Sequence, residues 1–80
     1  MYHENKDINQ VNMAKECKLF RDRFKKSQSE VAKKIGISRE SLNRFEKGKT
    51  KLRSRHGWKL ISYISMEYQL AHEDRNSFLY

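Results

Sequence analysis

The chain contains no proline, three glycines and a single cysteine, and each scarcity narrows what it can be. Without proline nothing forbids long helices, which suits an all-helical domain. One cysteine, Cys17, cannot close an internal disulfide, and within a helical pattern it is expected to pack as a small hydrophobe. No apolar run approaches the roughly 18 residues of a membrane span, and no leader-like segment opens the chain, so a soluble, cytoplasmic protein is expected. Chemistry-bearing constellations are also scarce. His3, His56 and His72 are too scattered for a metal site and no cysteine pair accompanies them, so no metal or cofactor is expected. No serine or cysteine sits in a nucleophile setting and no glycine-rich phosphate loop occurs, so no enzymatic activity is expected.

What the chain does hold is positive charge, in one place. From Lys15 to Lys59 there are 16 Lys or Arg against 5 Asp or Glu, a net +11, whereas both flanks are slightly acidic and the whole chain is +8. A basic segment is often only a solvated face, so its meaning depends on the pattern beneath it.

That pattern lies in Ser27 to Lys51, SQSEVAKKIGISRESLNRFEKGKTK. Ser27 with Glu30 three residues on is a capping box, so a helix is predicted from Gln28. Val31, Ala32 and Ile35 form its apolar stripe. Gly36 follows where a helix ends by turning left-handed, a conformation that costs glycine no strain. Ile37 plugs the corner and Ser38 caps a second helix, whose buried stripe is Leu42 and Phe45. Gly48 supplies the next stop. Ala32 is small enough to let the two helices cross closely. A helix, a short glycine turn and a second helix make a helix-turn-helix.

The arrangement resembles the helix-turn-helix family of the phage lambda repressor and Cro proteins, the XRE type. The likeness runs from about Lys18 to Lys51 and rests on Gln28, Ala32, Gly36, Leu42, Phe45 and Glu46-Lys47-Gly48-Lys49 in register. Phe20-Arg21-Asp22 looks like the end of the family's first helix, where an arginine pairs with the glutamate before the glycine turn, here Arg21 with Glu46. Lys26 departs from the pattern, since members carry an apolar residue there; Phe24 stands near enough to replace the bulk. The resemblance implies an all-α, compact four- or five-helix repressor-like domain that binds double-stranded DNA in a bacterial or phage-infected cell.

Around the motif, residues 1–7 read as a flexible arm, 8–72 as the DNA-binding domain and 73–80 as a polar tail ending in Phe78, Leu79 and Tyr80. The first helix is predicted within Ile8–Phe24, with apolar groups at Ile8, Val11, Ala14, Cys17, Leu19, Phe20 and Phe24. Beyond the basic loop Lys49–Arg55, Trp58, Ile61, Ile64, Tyr68 and Ala71 follow helical spacing, with Leu60 and Leu70 widening the stripe. One long helix and two helices broken near Ser65 both fit.

In this fold class the second motif helix enters the major groove. Its outward residues Ser38, Arg39, Glu40, Asn43 and Arg44 are the candidate base contacts. Arg39 and Arg44, read as lying near one face, suit guanine O6 and N7. Asn43 suits adenine, and Glu40 suits either cytosine N4 or the orientation of a neighbouring arginine. Gln28, Lys47, Lys49, Lys51 and Arg53 are the candidate phosphate contacts, Gln28 by resemblance and with a share in holding Arg39. Two functions stay open. One is a Cro-like repressor that dimerises through Trp58, Ile61, Ile64 and Tyr68. The other is an antitoxin or antirepressor module whose C-terminal helix binds a protein partner through Trp58, Tyr63, Tyr68 and the tail. An RNA reader is disfavoured, because the outward face lacks the aromatic platform on which unpaired bases stack.

Overall fold

The computed structural model describes the backbone of residues 2–79 and the side chains of residues 10–72. Four helices, α1 (Tyr2–Phe24), α2 (Gln28–Ile35), α3 (Arg39–Glu46) and α4 (Ser54–Leu79), make up the described residues, with no strand among them.

Three of the four helices stop by the same device. Lys25, Gly36 and Gly48 take φ of 58°, 82° and 78°, the left-handed region. The next residue's N–H then reaches back five positions: Lys26 to the Arg21 carbonyl, Ile37 to Ala32 and Lys49 to Arg44, at 2.9, 3.0 and 2.9 Å. This is the Schellman closure, which satisfies carbonyls a helix end leaves open. Glycine predicts two of these sites; the third places a lysine where its Cβ is strained.

Helix starts are equally local. Ser27 Oγ accepts the Glu30 N–H at 3.1 Å while the Glu30 carboxylate accepts the Ser27 N–H at 3.1 Å, a complete capping box. Ser38 Oγ accepts the Ser41 N–H at 3.0 Å and starts α3.

The core comprises Ala14, Cys17 and Phe20 of α1, Val31, Ala32 and Ile35 of α2, Leu42 and Phe45 of α3, and Leu60 of α4. Val11 and Leu19, expected on the inner stripe of α1, face solvent instead. The inner line is centred on Cys17 with Ala14 and Phe20 beside it; at 3.6 residues per turn Val11 falls about 120° and Leu19 about 160° around the helix from Cys17, so neither reaches the core. Against the middle of α4 an aromatic cluster closes the core. Phe20 lies 5.1 Å from Phe24 and 5.3 Å from Tyr63, and Phe24 meets Tyr68 edge-on at 4.9 Å. Lys26 joins this cluster by another route than apolar packing: its Nζ pairs with Glu67 at 3.0 Å and lies 6.0 Å from the Tyr63 ring centre.

α4 is one unbroken helix, since no glycine or proline follows Gly57 to interrupt it. It extends through residues 73–79, and α1 begins at Tyr2 and so takes in residues 2–7. Neither stretch contains a helix breaker. The side chains of Phe78, Leu79 and Tyr80 lie outside the described residues. His56 anchors the start of α4 by donating from Nδ1 to the Ile35 carbonyl at 2.9 Å, capping α2. Gln10 holds the loop before α4, accepting the Leu52 N–H at 3.0 Å.

Candidate nucleic-acid interface

α3 buries Leu42, Phe45 and Glu46 and leaves Arg39, Glu40, Ser41, Arg44 and Lys47 exposed, with Asn43 half-buried at the edge facing α2. The exposed side is almost wholly polar, because α2 and α1 cover everything apolar on this short helix.

Arg39 and Arg44 do not share a face. Five residues along a helix is a turn of about 140° net, so the two guanidinium groups leave on opposite flanks. Arg39 lines a cleft with Arg21, Ser27, Gln28 and Ser29 at the start of α2. Arg44 lines another, of about 270 Å³, with Ile37, Ser41, Thr50, Lys51, Leu52, Arg53, Arg55 and His56. Arg44 Nη2 is 3.0 Å from Glu40 Oε1, an ion pair one turn apart with both partners largely exposed. Such a pair is weak, so Glu40 aims the arginine without locking it.

The other candidate residues fall as follows. Ser38 Oγ is occupied by its cap and also donates to Ser41 Oγ at 2.9 Å, so its hydroxyl serves the helix start first. Lys47, Lys49, Lys51 and Arg53 are exposed along the end of α3 and the following loop, a cationic border beside the second cleft. Gln28 bonds to α3 rather than to Arg39: its Nε2 donates to Asn43 Oδ1 at 3.1 Å and to Glu46 Oε1 at 3.0 Å. Asn43 therefore turns its carbonyl oxygen toward Gln28, away from its own amino group's free side, whereas a two-point grip on adenine needs both to point outward together. Arg55, His56, Ser41 and Thr50, unassigned from sequence, complete the Arg44 cleft; Arg55 was legible as the last charge of the basic loop.

Beneath this surface sits a buried carboxylate. Glu46 is 5% exposed. It accepts from Arg21 Nε and Nη2, both at 2.8 Å, from Gln28 Nε2 at 3.0 Å and from the Cys17 thiol at 3.2 Å. Burial pushes its proton affinity up, but the bonds from Arg21, Gln28 and Cys17 outweigh burial, so the carboxyl stays below its ordinary range and ionised. Bonding to Glu46 in turn raises Arg21. Burial first, then the bond and charge of Glu46, pushes the Cys17 thiol up to about 12, far from a reactive thiolate. Cys17 thus packs as a core hydrophobe and also donates a hydrogen bond, a role its sequence context does not signal. No described buried side-chain nitrogen or oxygen lacks a partner. The network ties α1 and α2 to the last turn of α3, fixing the angle at which that helix is presented.

The Trp58, Ile61, Ile64 and Tyr68 stripe divides. Ile64 and Tyr68 pack against the chain's own core, whereas Trp58 is 69% and Ile61 44% exposed. The inward line of α4 runs through Gly57, Leu60 and Ile64; Trp58, about 100° around from Gly57, is turned away, while Ile61 sits on the rim of that line and stays partly open.

A polar helix held across a second by a glycine turn, with cations on both flanks, is a helix-turn-helix DNA-binding domain. Residues 18–66 match the model of the helix-turn-helix family, more than half of the chain, and the chain belongs to that family in its XRE-type, lambda- and Cro-like form. No curated protein and no solved structure matches it. The family is one of DNA-binding transcription regulators and not of enzymes, and this chain is a regulator of that type. Among the described residues no helix is long and apolar enough to cross a membrane.

Proposed function

We propose that the protein is a Cro-like repressor that binds an operator as a dimer, laying α3 in the major groove. The observation that carries this reading is the exposed polar side of α3 with a cationic cleft on each flank. Arg39 and Arg44, leaving the helix on opposite sides, then address different base pairs, each capable of the forked contact to guanine O6 and N7. Glu40 orients Arg44. Lys47, Lys49, Lys51 and Arg53 lie along one strand's phosphates, and Gln28, Ser27 and Ser29 stand beside the other at the positive end of α2. The second subunit docks on the exposed Trp58 and Ile61 of α4, beside Met13 and Leu52, which line the same groove.

The exposed Trp58 equally supports the second reading, an antitoxin or antirepressor that uses α4 to hold another protein. One experiment separates them. Binding is measured to duplex DNA from the gene's own upstream region and to scrambled duplex across a salt series, with light scattering for mass. A repressor gives a dimer with at least about a hundredfold preference for one site, and Lys49→Ala or Arg53→Ala lowers the salt slope by about one. Weak binding, equal on both duplexes, refutes it and leaves the protein-partner role.

A further inference from the structure

Arg21, Glu46, Gln28 and Asn43 form a chain in which each hydrogen bond dictates the polarity of the next. A carboxylate only accepts, and Glu46 Oε1 lies 3.0 Å from the Gln28 amide. Turned the other way, that amide would set its carbonyl oxygen against the carboxylate, so its NH2 must face Glu46. The second proton of the same NH2 is directed at Asn43, 3.1 Å away, where only an oxygen can take it. Asn43 Oδ1 is thereby held inward. Its Nδ2 makes no hydrogen bond within the described residues, and because no buried side-chain nitrogen there is left unpaired, it is open to solvent.

We infer that Asn43 is a specificity-determining residue presented to DNA as a hydrogen-bond donor alone, and that Gln28 and Glu46 are the positioning residues that fix this polarity from inside the protein. The inference rests on the proposed placement of α3 in the major groove. A lone donor matches guanine O6 and N7 or thymine O4. It meets only another donor at cytosine, and at adenine N7, as at thymine O4, it makes a single bond, because the oxygen needed for the two-point grip on adenine is turned inward on Gln28. The base selected by Asn43 is therefore guanine, which alone offers that amino group two acceptors, contrary to what asparagine alone suggests, and a carboxylate that never touches DNA sets the choice.

The test is selection of preferred duplexes from a randomised pool by the wild type, Gln28→Met and Asn43→Asp, each also melted to verify folding. Asn43→Asp keeps the acceptor for Gln28 and replaces the outward donor with an acceptor. It should switch one base pair from guanine to cytosine by about tenfold. Gln28→Met frees Asn43 to rotate and should raise adenine at that same base pair by about tenfold, leaving other positions unchanged. If Gln28→Met does not fold, Asn43→Asp still decides. Adenine as the wild-type choice at the responsive base pair overturns the inference, as does a base preference that ignores both variants. A wild type that selects no duplex removes the DNA reading and this inference together, whereas a selective wild type indifferent to the variants removes only the latter.

Discussion

Replacing Arg21 by alanine tests the buried network most severely. The change deletes both 2.8 Å bonds to Glu46 and leaves a carboxylate that is 5% exposed with only Gln28 and Cys17 as donors. Removing one partner of a buried ion pair costs about 3–5 kcal/mol, most of it the penalty of the stranded charge. Arg21 retains 23% side-chain exposure, so water can enter the vacated space and the lower end, about 3 kcal/mol, is appropriate. For a domain of this size that is a large share of a total of about 4–12 kcal/mol, and it corresponds to a fall in Tm of roughly 12–24 °C. Thermal melting followed by circular dichroism at pH 7 measures it. The pH dependence adds a second constraint. Glu46 titrates below its ordinary range in the wild type, so its contribution is complete above the unfolded carboxyl value and is lost as pH falls through the lower folded value. Without Arg21, burial dominates and the carboxyl takes up its proton at higher pH, relieving the stranded charge. The gap between wild type and variant should therefore narrow as pH falls below about 5. A loss under about 1 kcal/mol at pH 7, or a gap that is constant from pH 7 to 4, would mean that Glu46 is not a stranded charge without Arg21.

Other consequences follow from single residues. The Cys17 thiol, fully buried and raised to about 12, should resist a thiol-disulfide reagent at pH 8 in the native protein and react at once in denaturant; rapid native labelling would contradict its burial. Lys25→Gly should stabilise by about 1 kcal/mol, because the left-handed residue that closes α1 is strained only by its Cβ; Gly36→Ala should destabilise by a similar amount. A Cβ at Gly36 would sit 3.7 Å from Lys59 Nζ, ordinary contact, so backbone conformation alone carries that cost. Trp58→Glu should give a monomer by light scattering with unchanged helix content; a persistent dimer would place the subunit contact elsewhere.

Much of the motif was legible because its determinants are local. Ser27, Glu30, Gly36, Ser38 and Gly48 each act within one turn of chain, so the helix limits around them follow from residue type alone. What escaped depends on packing between helices. Lys25 closes α1 without being a residue that marks left-handed backbone. Cys17 and Gln28 meet Glu46 only because α1, α2 and α3 converge on one point, 29 and 18 residues apart in sequence. On α1 and α4 the apolar residues outnumber the positions that one face can bury, so Val11, Leu19, Trp58 and Ile61 were indistinguishable from their buried neighbours. The opposite placement of Arg39 and Arg44 was deducible from helical geometry, whereas the cleft beside Arg44 needed residues 50–53 and the start of α4 in place, and the one beside Arg39 needed α1 and α2.

As proposed, α3 reads duplex DNA through side chains it does not use for folding. The most direct measurement is a competition between the preferred duplex and scrambled duplex for the wild type and the Arg39→Ala/Arg44→Ala variant, with Tm determined alongside. Each forked contact contributes about 1–3 kcal/mol of discrimination, so the double variant should lose at least about thirtyfold of its preference, while two surface changes of about 0.5 kcal/mol each move its Tm by no more than about 4–8 °C. An undiminished preference in the variant, with Tm unchanged, would contradict the account.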